Sequence, residues 1–346
     1  MRVFEEDLDR IAQELKKLGL RNKSFFITGA TGLVGSVLIK ALVFANEHYD
    51  LKNEVIAEVR NLEKAKKVFS GYKDIVFNVG DVREAISYTG DVDYIVHAAS
   101  ETKSKNMIDF PVETLWIALS GAKNLLDFAY KKKIEKMVFL SSMEAFGTVD
   151  TEERVPEEKL GYIDLRKVRS CYPESKRMVE NMCVCYSSEY GVPVTIARLA
   201  QTFGAGVPSE DTRVFAQFAR SAMSGDDIVL HTTGESYGNY IYTADAAIAI
   251  FTLIKKGISC ECYTIANEGS SMQIKNMAEL VASCVADGKI GVTVDIPDGN
   301  QFGYAPDVKL KLDASKLQAL GWKPQIDLKE SYERMIKSWN DSSELS

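Results

Sequence analysis

Residues 141–147, SSMEAFG, follow the apolar run KMVFL and gather two hydroxyls, a methionine and a carboxylate within seven positions. In an α/β sheet the carboxyl end of a strand is where ligands bind and reactive side chains collect. Some thirty positions on, Tyr172 and Lys176 stand four apart in RSCYPESKRMVENMCVCY, which places them on one face of a helix. A tyrosine titrates near 10 and needs help to act as a base at neutral pH. An ammonium ~4 Å away at an effective dielectric of ~20 contributes about 4 kcal/mol, roughly three pKa units, which is enough in principle before its desolvation cost. Tyr172, helped by Lys176, is thus a candidate base, and the pair follows Ser142 by about thirty positions; the plain alternative for the pair is an ordinary exposed tyrosine and lysine. Glu144 is either an acid or base on the same substrate or a solvated turn carboxylate, while Met143 can neither give nor take a proton.

These residues need a scaffold, and the sequence supplies its pattern. SFFIT (24–28) leads into a helix carrying Leu33, Val34, Val37, Leu38, Ala41 and Leu42, and EVIAEV, DIVFNV, DYIVHA, KMVFL and VPVTIARL follow at intervals. Apolar runs with little internal polarity, alternating with helices, predict a mostly parallel sheet covered on both faces. Pro173 suits the first turn of the tyrosine helix, whose buried stripe is Val179, Met182, Cys183 and Tyr186.

Between the first strand and the first long helix lies TGATGLVG, residues 28–35. Gly29 permits a tight turn, Gly32 a close backbone approach and Gly35 close helix–strand packing, and the free amides of the helix start suit a pyrophosphate. Gly29, Thr31, Gly32, Leu33, Val34 and Gly35 are therefore candidate dinucleotide ligands. The second strand ends in EVRN rather than in a terminal acid, and Arg60 can accommodate a ribose 2′-phosphate, which favours NADP over NAD.

Phe4, Leu8, Ile11, Leu15 and Leu18 recur at helical spacing, so residues 1–22 are expected to form an amphipathic helix. The dinucleotide-binding domain is expected over 23–200, with about 240–266 returning to it, and a substrate-binding region over 201–239 and 267–340. A net charge of −7 offers no surface for tracking nucleic acid. No apolar run approaches spanning length, so no membrane segment is expected, and the acidic start is unlike a signal peptide. Six cysteines without a CxxC and only three histidines argue against a metal site and for reduced thiols in a cytoplasmic protein.

The GxxGxxG spacing resembles the extended branch of the short-chain dehydrogenase/reductase superfamily, which includes nucleotide-sugar epimerases, 4,6-dehydratases and decarboxylases. GDV (80–82), HAAS (97–100), SSMEAFG, the Tyr172–Lys176 pair, ARLAQTFGAG (197–206) and YIYTADAA (240–247) extend the resemblance through most of the chain. It implies a Rossmann-like fold, with Asp81 and Val82 at the adenine and Ala98, Ala99 and Ser100 under the nicotinamide half. It implies Tyr172 as base, Lys176 as its electrostatic partner and ribose ligand, and Ser142 as hydrogen-bond partner of the reacting hydroxyl. The expected activity is oxidation of a sugar C4 hydroxyl by a bound, recycled NAD(P), followed by reaction through the 4-ketone, in a homodimer acting on a nucleotide-diphosphate sugar.

Glu144 points to a lyase, as the base at C5, and a 4,6-dehydratase-like reaction ranks first. A 4-epimerase or reductase ranks second, then a glucuronate decarboxylase, with a catalytically silent regulator disfavoured by the intact Ser142, Tyr172 and Lys176. Met143 stands where thymidine-type dehydratases have an aspartate. Gly238 stands where the branch commonly has a phosphate-binding arginine, Tyr304–Ala305 where the decarboxylases have Arg-Lys, and Gln201 replaces the usual asparagine that touches the sugar phosphate. Arg213 and Lys309 are the nearby candidates for the lost charge. Without an evident partner for a sugar carboxylate, decarboxylation is ranked below dehydration.

Overall fold

The computed structural model describes residues 2–296 and 309–343. Tyr304 and Ala305 lie outside this range. The chain opens with α1 (Val3–Lys17), then β1 (Ser24–Thr28), α2 (Leu33–Tyr49), β2 (Glu54–Val59), α3 (Leu62–Val68), β3 (Ile75–Val79) and β4 (Tyr94–His97). Next come α4 (Ser104–Asp109), α5 (Pro111–Lys132), β5 (Lys136–Ser142), α6 (Cys171–Tyr190), β6 (Val194–Leu199) and β7 (Gln201–Phe203). The remainder is α7 (Val214–Ser224), β8 (Ile228–Leu230), β9 (Tyr237–Tyr242), α8 (Thr243–Lys256), β10 (Cys262–Ile265) and β11 (Asn267–Gln273). It closes with α9 (Ile274–Leu280), β12 (Val292–Val294), α10 (Ser315–Gln318) and α11 (Leu328–Ser343).

Seven strands form one parallel sheet in the order β10-β6-β5-β4-β1-β2-β3, the doubly wound arrangement expected from the sequence. Successive side chains of a strand point to opposite faces, and the apolar runs divide accordingly. Phe25, Ile27, Val55, Ala57, Val96, Val138 and Leu140 join one core with residues of α1, α2 and α8. Phe26, Ile56, Ile95, Met137, Phe139 and Ile196 join a second with residues of α5 and α6. The order reverses between β1 and β4, and this switch point leaves a crevice at the carboxyl ends of those strands.

The amphipathic α1 buries Val3, Leu8, Ile11, Ala12 and Leu15. Two polar links add direction to that packing. Asp7 accepts from the Tyr242 hydroxyl and from Arg334 on α11, and Arg10 pairs with the buried Asp245 on α8 at 2.9 Å. Short sheets β11-β9-β7 and β12-β8 surround a separate core of Phe203, Phe215, Tyr240, Met277, Tyr332 and Trp339. Among the described residues, no helix is long and apolar enough to cross a membrane.

Candidate active site

The turn from β1 to α2 is shaped by what its glycines exclude. Gly29 has φ +64°, and a Cβ there would stand 2.5 Å from the Ala98 carbonyl at the end of β4. A Cβ on Gly35 would stand 2.4 Å from the Gly29 oxygen. Neither position can carry a side chain, so the turn and the helix start are drawn against the sheet. Gly32 caps α2 with extended backbone and is exposed, and no acidic residue occupies the helix's first turn. Thr31, Leu33 and Val34 are part-buried around it. This is an open cradle with a positive helix end, and its residues fit a pyrophosphate.

Beside it, Thr28 Oγ1 and His97 Nδ1 join β1 and β4 at 2.8 Å, and the Ala99 amide donates to the same hydroxyl at 3.2 Å. Burial, with the Lys176 ammonium behind it, holds the His97 imidazole down to about 3, so it stays neutral. Ala98 and Ser100 continue this turn, both part-buried.

Beyond β3, Asp81 is gripped by Arg83 through Nε at 3.0 Å and Nη2 at 2.7 Å, which holds its carboxyl below the usual range. Val82 is buried against Gly121. Arg60 is exposed just beyond β2 and makes no ion pair among the described residues. The sequence reading passed over Glu58, one position before the end of β2. Its carboxylate is buried, accepts from the Asn78 amide, and is covered by Gly80, where a Cβ would lie 2.7 Å from Oε1.

SSMEAFG spans the end of β5 and one 3₁₀ turn, Met143–Phe146. Ser142 caps the turn by accepting from the Glu144 amide at 3.2 Å. Met143 packs part-buried against the main core, which explains why an apolar residue is tolerated among polar neighbours. Arg177 of α6 locks the turn by donating to the carbonyls of Ala145 at 2.7 Å, Phe146 at 3.2 Å and Gly161 at 2.7 Å.

α6 then supplies Tyr172 and Lys176 one turn apart, both buried. The Lys176 ammonium donates to the Leu140 carbonyl at 2.9 Å and lies 5.6 Å from the centre of the Tyr172 ring. Burial pulls it down to about 8, against the attraction of the Glu180 and Glu144 carboxylates. Burial also pushes the Tyr172 hydroxyl up to about 12; the Glu144 carboxylate adds to the rise, while the Ser142 hydroxyl and Arg169 oppose it. The expectation that the lysine brings the tyrosine toward neutrality is thus reversed in the protein by itself. Desolvation, the cost left open in the sequence argument, is the larger effect.

Behind the lysine, Glu180 receives Arg198 through Nε at 3.0 Å and Nη2 at 2.7 Å, and also the Ser141 hydroxyl. Arg198 is therefore committed to a buried pair below the site.

The sequence reading missed Arg169. It sits in the short 3₁₀ turn before α6, its Nη2 donates to Glu144 Oε1 at 2.9 Å, and its guanidinium carbon lies 5.4 Å from the Tyr172 ring centre. Only its place in RSCYPESKR, three residues before the tyrosine, could have drawn attention to it.

The proposed substrate residues are placed differently. Gln201 opens β7 and is part-buried. Arg213 is bound through Nε and Nη2 to both oxygens of Asp211, and the Lys309 ammonium stands 3.5 Å from Glu152. Both cations thus have carboxylate partners within the chain. At Gly238 a Cβ would meet the Tyr240 hydroxyl at 2.3 Å, so an arginine there requires the tyrosine to move.

Known proteins resemble this chain in sequence or in architecture. A UDP-glucuronic acid decarboxylase 1 of Xenopus tropicalis is 29% identical over 318 residues, covering 91% of this chain and 71% of its own length. A dTDP-D-glucose 4,6-dehydratase of Bos taurus is 24% identical over 335 residues, covering 92% of this chain and 89% of its own. The solved structure of a dTDP-glucose 4,6-dehydratase of Streptomyces venezuelae with NAD bound has the same fold, with TM-score 0.75 at 20% identity over 93% of this chain and 98% of that one. The stretch from the first strand of the sheet to its last, residues 25–266, matches a single family along its length, and on that match the chain is an enzyme of the NAD dependent epimerase/dehydratase family.

Proposed function

We propose that this enzyme oxidises the C4 hydroxyl of a nucleotide-diphosphate sugar with a bound, recycled dinucleotide and then acts as a lyase through the 4-ketone. The observation that carries the reading is the meeting of Ser142, Tyr172 and Glu144 at the end of β5, with Lys176 buried beneath them. Gly29, Gly32, Gly35 and the first amides of α2 would hold the pyrophosphate, and Lys176 the nicotinamide ribose. When bound, the cofactor supplies the oxidant for C4 and a positive charge in the site. Tyr172 takes the C4 hydroxyl proton while Ser142 orients that hydroxyl. A C4 ketone acidifies the hydrogen at C5, where Glu144 is the available carboxylate for proton transfer. Similarity to a UDP-glucuronic acid decarboxylase and to a dTDP-D-glucose 4,6-dehydratase supports a lyase reading.

Incubation with a panel of nucleotide sugars, followed by mass spectrometry, tests this reading. Loss of water or of CO2 supports it. Unchanged mass with altered retention indicates an epimerase, and a cofactor reduced in stoichiometric amount contradicts recycling.

For the dinucleotide, Arg60 favours NADP, although the Streptomyces relative holds NAD. Calorimetric titration is expected to show NADP binding tighter than NAD, with the preference lost in Arg60→Ala; clearly tighter NAD binding by the native chain removes the role given to Arg60. Six free cysteines fit a reducing, cytoplasmic setting. A homodimer is supported by the exposed apolar residues Phe110, Val112 and Trp116 at the start of α5 and Met178 on α6.

A further inference from the structure

The guanidinium of Arg169 is incompletely used by the protein. Nη2 binds Glu144 at 2.9 Å, while Nη1 is out of water and has no hydrogen-bond partner among the described residues. A buried donor left unpaired is costly, and more so on a charged group, so such atoms mark places that a ligand completes. Around a third of the side chain remains exposed, 32%, which leaves an open edge for an incoming group.

Three facts bear on what that group is. Arg169 lies on both groups that would work on the sugar, Glu144 by an ion pair and Tyr172 by its ring face at 5.4 Å. It is therefore at the reacting end of the sugar, not at the diphosphate. The unused Nη1 is a donor on a charged group, and such a donor bonds an anionic carboxylate oxygen more strongly than a neutral hydroxyl. The cations considered for this purpose are engaged, Arg213 by Asp211 and Lys309 by Glu152, and Arg198 is held below the site by Glu180.

We infer that Arg169 is the specificity-determining residue of the site, holding Glu144 with one arm and the C6 carboxylate of a hexuronosyl nucleotide with the other. The assignment rests on the nucleotide-sugar reading and narrows it to a carboxylated sugar. It supplies the charge partner whose absence placed decarboxylation below dehydration. One cation between two carboxylates also keeps Glu144 and the substrate from repelling each other in a partly dry site.

The test is calorimetric binding of UDP-glucuronate, UDP-glucose and UDP, with thymidine counterparts, to the cofactor-loaded enzyme and to Arg169→Gln and Arg169→Lys. The native enzyme is expected to favour the uronate over the glucose compound by about tenfold or more. In Arg169→Gln that ratio falls to about one while UDP or dTDP affinity is unchanged, and Arg169→Lys keeps part of the ratio. A merely structural arginine would weaken all ligands together. An unchanged ratio in Arg169→Gln, or a native preference for the neutral sugar, overturns the assignment. If Arg169→Gln does not fold, as read from its melting curve, the lysine variant decides, and an undiminished ratio there counts against it. Failure of the native enzyme to bind any of these nucleotides defeats the nucleotide-sugar reading and the assignment with it, and shows in the native chain rather than in the variants.

Discussion

Tyr172 carries the heaviest demand of any residue in the site. The protein alone holds its hydroxyl near 12, with Lys176 against its ring face and Glu144 working the wrong way. If Tyr172 is the base of the proposed reaction, its ionisation would be helped by the positive charge of a bound cofactor and by a hydrogen bond from Ser142 to the anion. Replacing Tyr172 by Phe removes the proton acceptor but little volume. Turnover is expected to fall about 10²- to 10⁴-fold with cofactor affinity unchanged, as read from steady-state rates and calorimetry; near-native turnover would remove Tyr172 from the mechanism. Tyr172 was singled out as a candidate by its spacing to Lys176 and its distance from Ser142. Its environment was not legible in the sequence, because the size of a desolvation cost depends on packing that no local spacing reveals. Arg169 escaped for a related reason: its partner Glu144 is 25 positions away, and only the fold brings the two within 2.9 Å.

The elements were the more readable layer. Continuous apolar runs, a glycine turn and helical stripes are local signals, and they describe β1, α2, β5 and α6 closely. Glu58 shows the limit of that reading. It lies within an apolar run, and its Asn78 partner is on the neighbouring strand, where no local pattern reveals it. Helices α5 and α6 pack on the sheet through Ala122, Leu125, Leu126, Val179 and Cys183, yet leave other apolar residues outward. Val112 is 77% exposed and Trp116 is 61% exposed. If that face joins two copies, Trp116→Arg should halve the mass measured by light scattering after gel filtration, with the fold retained. A native chain that already runs as a monomer would rule the dimer out.

Across the whole molecule, one buried group should tie stability to pH. His97 is held near 3 in the folded chain, against about 6.5 when unfolded. Between these values the unfolded state binds the extra proton, so stability is full above about pH 6.5 and is lost as the pH falls toward 3. At pH 5 the loss amounts to roughly 2 kcal/mol. The drop in melting temperature between pH 8 and pH 5 should therefore be smaller in His97→Asn than in the native chain, whatever the variant's absolute stability; equal drops would contradict a neutral, buried imidazole.

The same fold places the glycine cradle, the Tyr172–Lys176 pair and the Glu144 carboxylate at one end of the sheet, and in the proposed function these act in sequence through a 4-ketone. Turnover of a nucleotide sugar in D2O, read by mass spectrometry and proton NMR, examines that sequence most directly. The predicted product has lost water or CO2, carries one deuterium at C5, and leaves no net reduced cofactor. A product of unchanged mass with no carbon-bound deuterium would contradict the account.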